Sequence, residues 1–242
     1  MTRPSYGTLS LVGVGPGDPD LMTVKAVKRL AAAAVVAFPA TSDGGTLALD
    51  IARPYVPTAA ALLPVTIPMT PERGPAQAAY DAGAEAIAAR LGAGEDVAYL
   101  CEGDPLFYGS AMYLLSRLGA RFAIEVIPGV TSLTAAAAAI SRPLAARNEV
   151  LKVLPAPLPD DVLRAELAQA PAVALIKVGR HFDRIRALLG ETGHAASAIV
   201  VEHATTSRQR ITRLAEFSAD ERPYFSTILA YRGTEAWGQQ SA

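Results

Sequence analysis

Short β-branched runs separated by longer Ala- and Leu-rich segments of helical period limit what this chain of 242 residues can fold into. That alternation is the pattern of a parallel sheet with helical crossovers, so the expected class is α/β. Strands are expected at 8–14, 34–38, 61–65 and 97–101, with helices between them that include 47–53 and 76–91. Gly119-Ala120-Arg121 lies about midway, and the pattern then restarts with a strand at 123–127, a Pro128-Gly129 break and an Ala-rich helix from Ser132. The expectation is therefore two α/β domains, 1–120 and 121–242. Further strands are expected at 150–154, 172–178 and 198–202. The stretches 209–214 and 224–231 read as strands with only a turn-rich connection, so the second sheet should be partly antiparallel.

Composition narrows the function classes. Hydrophobic residues at 51% and charged residues at 19% exclude a disordered chain. Lys and Arg number 22 against 23 Asp and Glu, so no global positive field exists to hold a nucleic-acid backbone, and an anionic partner needs a local cluster. Cys101 is the one cysteine and cannot form an internal disulfide; with His181, His194 and His203 it shows no zinc-ligand spacing, so no metal is expected. A reducing cytoplasm fits. The start, MTRPSYGTLS, lacks the apolar core of a signal peptide, and the longest apolar stretch, at 30–40, is short of the roughly 18 residues of a membrane span.

Chemistry is expected in the turns that follow strands, where a parallel sheet places its ligand-contacting loops. GVGPGDP at 13–19 follows the first strand but departs from the dinucleotide pattern, because Pro16 and Pro19 stiffen a loop with glycines at every second position. EGDPLFYG at 102–109 repeats the Gly-Asp-Pro triplet after another strand. Chance gives one such triplet in roughly one chain in twenty of this size, and two in about one in a thousand. Gly103 allows close backbone approach, Asp104 offers a carboxylate to a ribose hydroxyl or amine, and Phe107-Tyr108 offer an apolar wall; the plainer alternative is that Asp104 caps the next helix. In PGVTS at 128–132, Thr131 and Ser132 either cap a helix or turn hydroxyls to a ligand. A fourth turn, KVGRH at 177–181, carries local positive charge.

The run GVGPGDP, CEGDPLFYG, IPGVTS, IKVGRH and VEHATTSRQR, in this order across nearly the whole chain, resembles the tetrapyrrole methylase family. The resemblance implies two α/β domains with S-adenosylmethionine folded into a cleft between them, and a homodimer. Carried over by position, it implies cofactor contacts at Pro16, Glu102, Gly103, Asp104, Phe107, Thr131, Ser132, Val178 and Ala204. Within the family, VVAFPAT, LCEGDPLFYGSAMYLL and ALIKVGRH are most similar to members that methylate carbon 20 of precorrin-2 in cobalamin biosynthesis. Lys177, Arg180 and His181 are then expected to meet substrate carboxylates, Arg180 through paired hydrogen bonds. Members acting on uroporphyrinogen carry an acid in the loop after the second strand; here Phe38-Pro39-Ala40 stands there, and no catalytic base is identified. Two alternatives remain open from the residues: a cobalt-containing form of the same substrate, or a nucleotide-binding module without turnover.

Overall fold

A computed structural model describes residues 6–42, 44–68, 73–218 and 225–234. The chain divides into two compact units, Met1–Thr131 and Ser132–Ala242. The expected boundary at 120 is thus too early. The strand after it belongs to the first unit, because it pairs in parallel with the first strand, Leu9 opposite Ile124 and Val12 opposite Ile127.

The first unit holds β1 (Leu9–Gly13), α1 (Val24–Ala31), β2 (Val35–Ala40), α2 (Leu47–Ala52), β3 (Ala61–Thr66), α3 (Arg73–Gly92), β4 (Val97–Cys101), α4 (Ala111–Leu118) and β5 (Ile124–Ile127). The strands form one parallel sheet in the order β3-β2-β4-β1-β5. Alternation along the strands sorts their side chains. Leu9, Leu11, Tyr99 and Cys101 pack with Ile87, Leu91 and Leu114 of α3 and α4, while Val12, Ala98 and Leu100 pack with Leu30 and Leu49 of α1 and α2. Pro39 is tolerated inside β2 because pairing with β4 ends at Ala37, leaving that stretch bonded to β3 alone. From β1 the chain leaves towards one edge, and from β4 it crosses to the other. The carboxyl ends of these two neighbours are therefore the topological switch point, where open α/β sheets bind ligands.

The second unit holds α5 (Ser132–Ala139), β6 (Leu151–Pro155), α6 (Asp160–Ala168), β7 (Ala172–Ile176), α7 (Phe182–Glu191), β8 (Ile199–Glu202), β9 (Arg210–Arg213) and β10 (Ser226–Tyr231). The sheet order is β6-β7-β10-β8-β9; β6 and β7 are parallel, while β10 runs antiparallel to both its neighbours and β9 antiparallel to β8. The mixed sheet matches the sequence reading, with Tyr224 of the expected last strand outside the described residues. Leu163, Leu167, Phe182 and Ile185 of α6 and α7 cover one face. On the other, Ala135 and Ala136 of α5 join Leu133 and Ile140 against Ile199, Val201 and Leu229, the small side chains bringing the helix close to the sheet.

His194 is fully buried; its Nε2–H donates to the Ala170 carbonyl at 3.0 Å and its Nδ1 lies 3.1 Å from the Thr192 hydroxyl. Burial, with Arg232 nearby, pushes its pKa below the usual 6.5, so the folded protein prefers the neutral ring. Above about pH 6.5 this group's contribution is complete; as pH falls through the folded pKa, the unfolded chain binds more protons and stability is lost. His194→Gln is expected to flatten the decline of melting temperature between about pH 7 and 5, measured by calorimetric scans of both proteins across that range.

Candidate functional site

Three turns of the first unit are sewn into one backbone cluster at the switch point. After β1, Val14 N–H donates to the Cys101 carbonyl at 2.9 Å. Gly15 and Gly103 then bridge antiparallel, Gly103 N–H donating to Gly15 O at 2.8 Å and Gly15 N–H to Gly103 O at 3.2 Å. Both glycines have positive φ, +83° and +64°, a conformation that a side chain would strain. The third turn closes on these two. A Cβ on Gly129 would stand 2.0 Å from the Gly103 carbonyl oxygen, and one on Gly13 would stand 2.6 Å from the Gly129 nitrogen. No residue larger than glycine fits those two places without backbone movement.

The two Gly-Asp-Pro copies serve one local purpose. In each, Asp stands before a turn whose first residue is Pro, with φ already set and no amide hydrogen to satisfy. Asp18 accepts from Asp20 N–H at 2.9 Å. Asp104 accepts from Leu106 and Phe107 N–H at 2.9 and 3.1 Å through Oδ1, and Oδ2 accepts from Gly129 N–H at 3.0 Å. Because α4 begins at Ala111 with Ser110 before it, Asp104 caps its own turn and not the next helix, which the plainer sequence alternative had it capping. It also clamps the third turn to the second, a role that the sequence did not reveal because Gly129 lies 25 residues on.

The other expected positions fall as follows. Pro16 is half-buried in the first turn, Phe107 is partly exposed and stands edge-on to Tyr108, and Leu106, Tyr108, Met112 and Tyr113 extend an exposed apolar surface from that turn into α4. Glu102 is half-buried; burial pushes its carboxyl pKa up, while its own amide and that of Ala48 favour the charged form. Thr131 ends the first unit, and Ser132 opens α5 exposed in the second. Cys101 is a buried strand residue whose thiol pKa burial pushes well up, which removes it as a nucleophile.

In the second unit, Val178 directly follows the β7 turn, but its side chain is fully buried in the core with Phe182 and Leu175, so only its main chain is left to face a ligand. Ala204 is likewise buried, just past β8. Lys177, with φ +57°, and Arg180 are exposed, and neither meets a carboxylate among the described residues. Arg180 Nε lies 3.4 Å from His181 Nε2. Partial burial and the charges of Arg184 and Arg180 lower the His181 pKa, so it is neutral near pH 7 and offers one N–H. Arg184 itself is committed to the Ala156 and Leu158 carbonyls and Asp160. Lys152 is likewise tied to Glu166. The described residues contain no group of three His, Cys, Asp or Glu placed to hold a metal, and no helix long and apolar enough to cross a membrane.

Glycine-lined turns at the switch point of a parallel sheet, joined in the same chain to a mixed α/β unit, define a two-unit α/β protein with its ligand-facing loops at strand carboxyl ends. The family model of tetrapyrrole (corrin/porphyrin) methylases matches residues 8–218, and the chain belongs to that family. It is 40% identical over 95% of its length to the precorrin-2 C(20)-methyltransferase of Sinorhizobium sp, covering 97% of that protein. It is 34% identical to the cobalt-precorrin-2 C(20)-methyltransferase of Salmonella typhimurium, over 95% of this chain and 98% of that one. It is 42% identical to the cobalamin biosynthesis protein CobIJ of Mycobacterium tuberculosis over 92% of this chain, and spans only 46% of that longer protein. Among solved structures, uroporphyrin-III C-methyl transferase from Thermus thermophilus complexed with S-adenyl homocysteine is similar with a TM-score of 0.67 and 26% identity, covering 92% of this chain and 97% of that one.

The glycine contact and the Asp104 clamp should be visible in stability. Gly129→Ala is expected to destabilise the protein by more than about 2 kcal/mol, since backbone must move, and Asp104→Ala by about 1–2 kcal/mol through three orphaned amides. Glu85→Ala, which removes only the exposed ion pair with Arg121, should cost less than about 0.5 kcal/mol. Urea titrations of the three variants give the ranking.

Proposed function

We propose that this chain transfers the methyl group of S-adenosylmethionine to carbon 20 of precorrin-2, giving precorrin-3A, and acts as a homodimer. The observation that carries the reading is the glycine cluster at the switch point, built by the same three turns whose sequence resembles that family. The identity to the Sinorhizobium protein over nearly both full lengths supports the substrate.

The residues present fit the cofactor on their chemistry. S-adenosylmethionine carries a sulfonium cation and supplies an activated methyl group. Glu102 offers a half-buried carboxyl with no cation beside it among the described residues, and the glycines let main chain rather than side chain line the turn. Pro16, Gly103, Phe107, Thr131 and the Glu102 main chain are the proposed contacts in the first unit, with Asp104 holding their turns in place. Ser132 and the main chains of Val178 and Ala204 are the proposed contacts in the second. Methyl transfer from sulfonium to carbon is an in-line displacement that moves a positive charge from sulfur into the conjugated ring, where it is spread until a proton leaves, so alignment in a water-poor setting lowers its barrier. Lys177, Arg180 and His181 are the proposed partners of substrate carboxylates.

Mass spectrometry of a reaction with S-adenosylmethionine and precorrin-2 is expected to show one added methyl group. Absence of that product, with S-adenosylhomocysteine still binding by calorimetry, would leave a nucleotide-binding module without turnover. The Salmonella relative gives a parallel arm, the same reaction with the cobalt-containing substrate; methylation there and not with precorrin-2 moves the assignment to the cobalt form. Arg180→Ala is expected to raise the KM for precorrin-2 by about threefold to tenfold, as loss of one exposed charge-assisted contact would. Affinity for S-adenosylhomocysteine should change less than twofold; equal loss of both would make the turn a support of the cofactor or fold.

A further inference from the structure

Exposed large apolar side chains stand mostly singly among the described residues, as Val24, Leu62 and Val162 do, and scattered ones need no explanation. One stretch differs. Leu106, Phe107 and Tyr108, with Met112 and Tyr113 just beyond, are between 37% and 49% exposed. They begin in the turn after β4, at the switch point, and end on the first turn of α4. We infer that Leu106, Tyr108, Met112 and Tyr113 form the seat for the conjugated ring of the tetrapyrrole, an inference that rests on the reading just given and names a substrate surface it left unassigned.

This face is held outward by the fold. Asp104 Oδ1 accepts the N–H groups of Leu106 and Phe107, Tyr108 has a left-handed φ of +55°, and a Cβ on Gly109 would stand 2.6 Å from the Pro105 carbonyl oxygen. A turn curled this tightly has no interior in which to hide its apolar side chains. On α4, Ala111, Leu114 and Leu118 take the core side, which leaves Met112, Tyr113 and Ser116 on the outer one. The Tyr113 ring rests on that of buried Tyr80 of α3, with centroids 4.7 Å apart, and the Phe107 ring stands edge-on to Tyr108 at 5.2 Å. Arg117 ties α4 to α3 through Asp81 and the Gln77 side chain, at 2.7 and 2.8 Å. The surface is therefore ordered before any ligand arrives, which lowers the cost of binding.

Its chemistry and extent select the occupant. From Pro105 to Ser116 the sequence has no Asp, Glu, Lys, Arg or His, so the face offers nothing to the carboxylates of a tetrapyrrole and suits the faces of its ring, through aromatic and thioether contacts. Apolar character stops within one turn of α4, at outward Ser116 and at Arg117, which is too short a strip for a partner helix lying along α4. Position agrees with this. The same turn supplies Glu102, Gly103 and Phe107, proposed cofactor contacts, so a ring seated on its apolar side adjoins the methyl donor and keeps water from the carbon that receives the methyl group.

The test measures affinity for precorrin-2 with S-adenosylhomocysteine bound, so that no methyl group can be transferred, by an absorbance titration, alongside the steady-state KM. Three altered proteins are compared with wild type: Tyr108→Asn, a residue that tolerates positive φ, the double variant Met112→Ser with Tyr113→Ser, and Tyr113→Phe, which keeps the ring. The first two are expected to weaken precorrin-2 binding and raise KM by about fivefold or more, as loss of large apolar contacts would, with affinity for S-adenosylhomocysteine changed less than twofold. Tyr113→Phe, and Val162→Ser as an exposed apolar residue on α6, should stay within twofold in both. The inference is overturned if Tyr108→Asn and the double variant bind precorrin-2 as wild type does, or if Tyr113→Phe loses as much as the double variant, which would make the hydroxyl the contact. It is also overturned if S-adenosylhomocysteine affinity falls in parallel, or if the loss comes with a change of mass in light scattering, which would make this face a contact between copies of the chain. Wild type that neither binds nor methylates precorrin-2 overturns the function reading instead, before any variant is compared.

Discussion

Close backbone contact among Gly13, Gly103 and Gly129 is the constraint on which the first unit's site depends. It draws the turns after β1, β4 and β5 to within hydrogen-bonding distance at the one place where the sheet's connections diverge. Everything polar in these turns is arranged around that contact: the Gly15–Gly103 bridge satisfies main-chain groups that would otherwise be stranded, and Asp104 accepts the amides that the bridge does not reach. The cluster is stiff because it is made of main chain. Stiff main chain is what positioning of two reactants requires, since an error near 1 Å can cost about 100-fold in rate.

Much of the fold was legible in the sequence because each unit keeps to the local rules of its elements. β4 runs at Val97–Cys101 as expected, and β1, α2 and α3 depart by a few residues at their ends, where local end effects decide. The domain boundary was misread for a specific reason. Gly119-Ala120-Arg121 is a turn of high local contrast, but β5 beyond it has parallel hydrogen bonding with β1, more than 100 residues earlier in the chain, which no local signal records. The site was legible as a set of turns and not as a set of contacts. Gly-Asp-Pro marked the right places, yet the reason for the triplet is capping by Asp and a preset φ at Pro, and the tie from Asp104 to Gly129 is a product of the tertiary fold.

Strain follows the same map in both units. Of the non-glycine residues with positive φ among those described, Lys177 follows β7, His203 and Thr205 follow β8, and Tyr108 ends the turn after β4. Such conformations cost of order 1–3 kcal/mol each and persist only where surroundings over-determine them. His203 shows how: its N–H donates to the Phe225 carbonyl, its ring lies beside that of Phe225, and its carbonyl accepts both the N–H and the hydroxyl of Thr206. Ser141 and Arg147, the remaining two, lie in the connection between α5 and β6, away from the strand ends.

The charge pattern carries the last step. A nearly neutral protein, at net charge -1, cannot attract a polycarboxylate by its overall field. In the function proposed, Lys177 and Arg180 would answer this locally, being exposed cations at the β7 turn without carboxylate partners among the described residues, while neighbouring Arg184 and Lys152 are consumed by structure. Exposure keeps the desolvation cost of the cations low, and it equally limits what each contact adds, so substrate carboxylates held there would remain wet and serve orientation. Glu102 is the opposite case: a half-buried acid whose carboxyl meets the amide of Ala48 in α2 and, among the described residues, no cation.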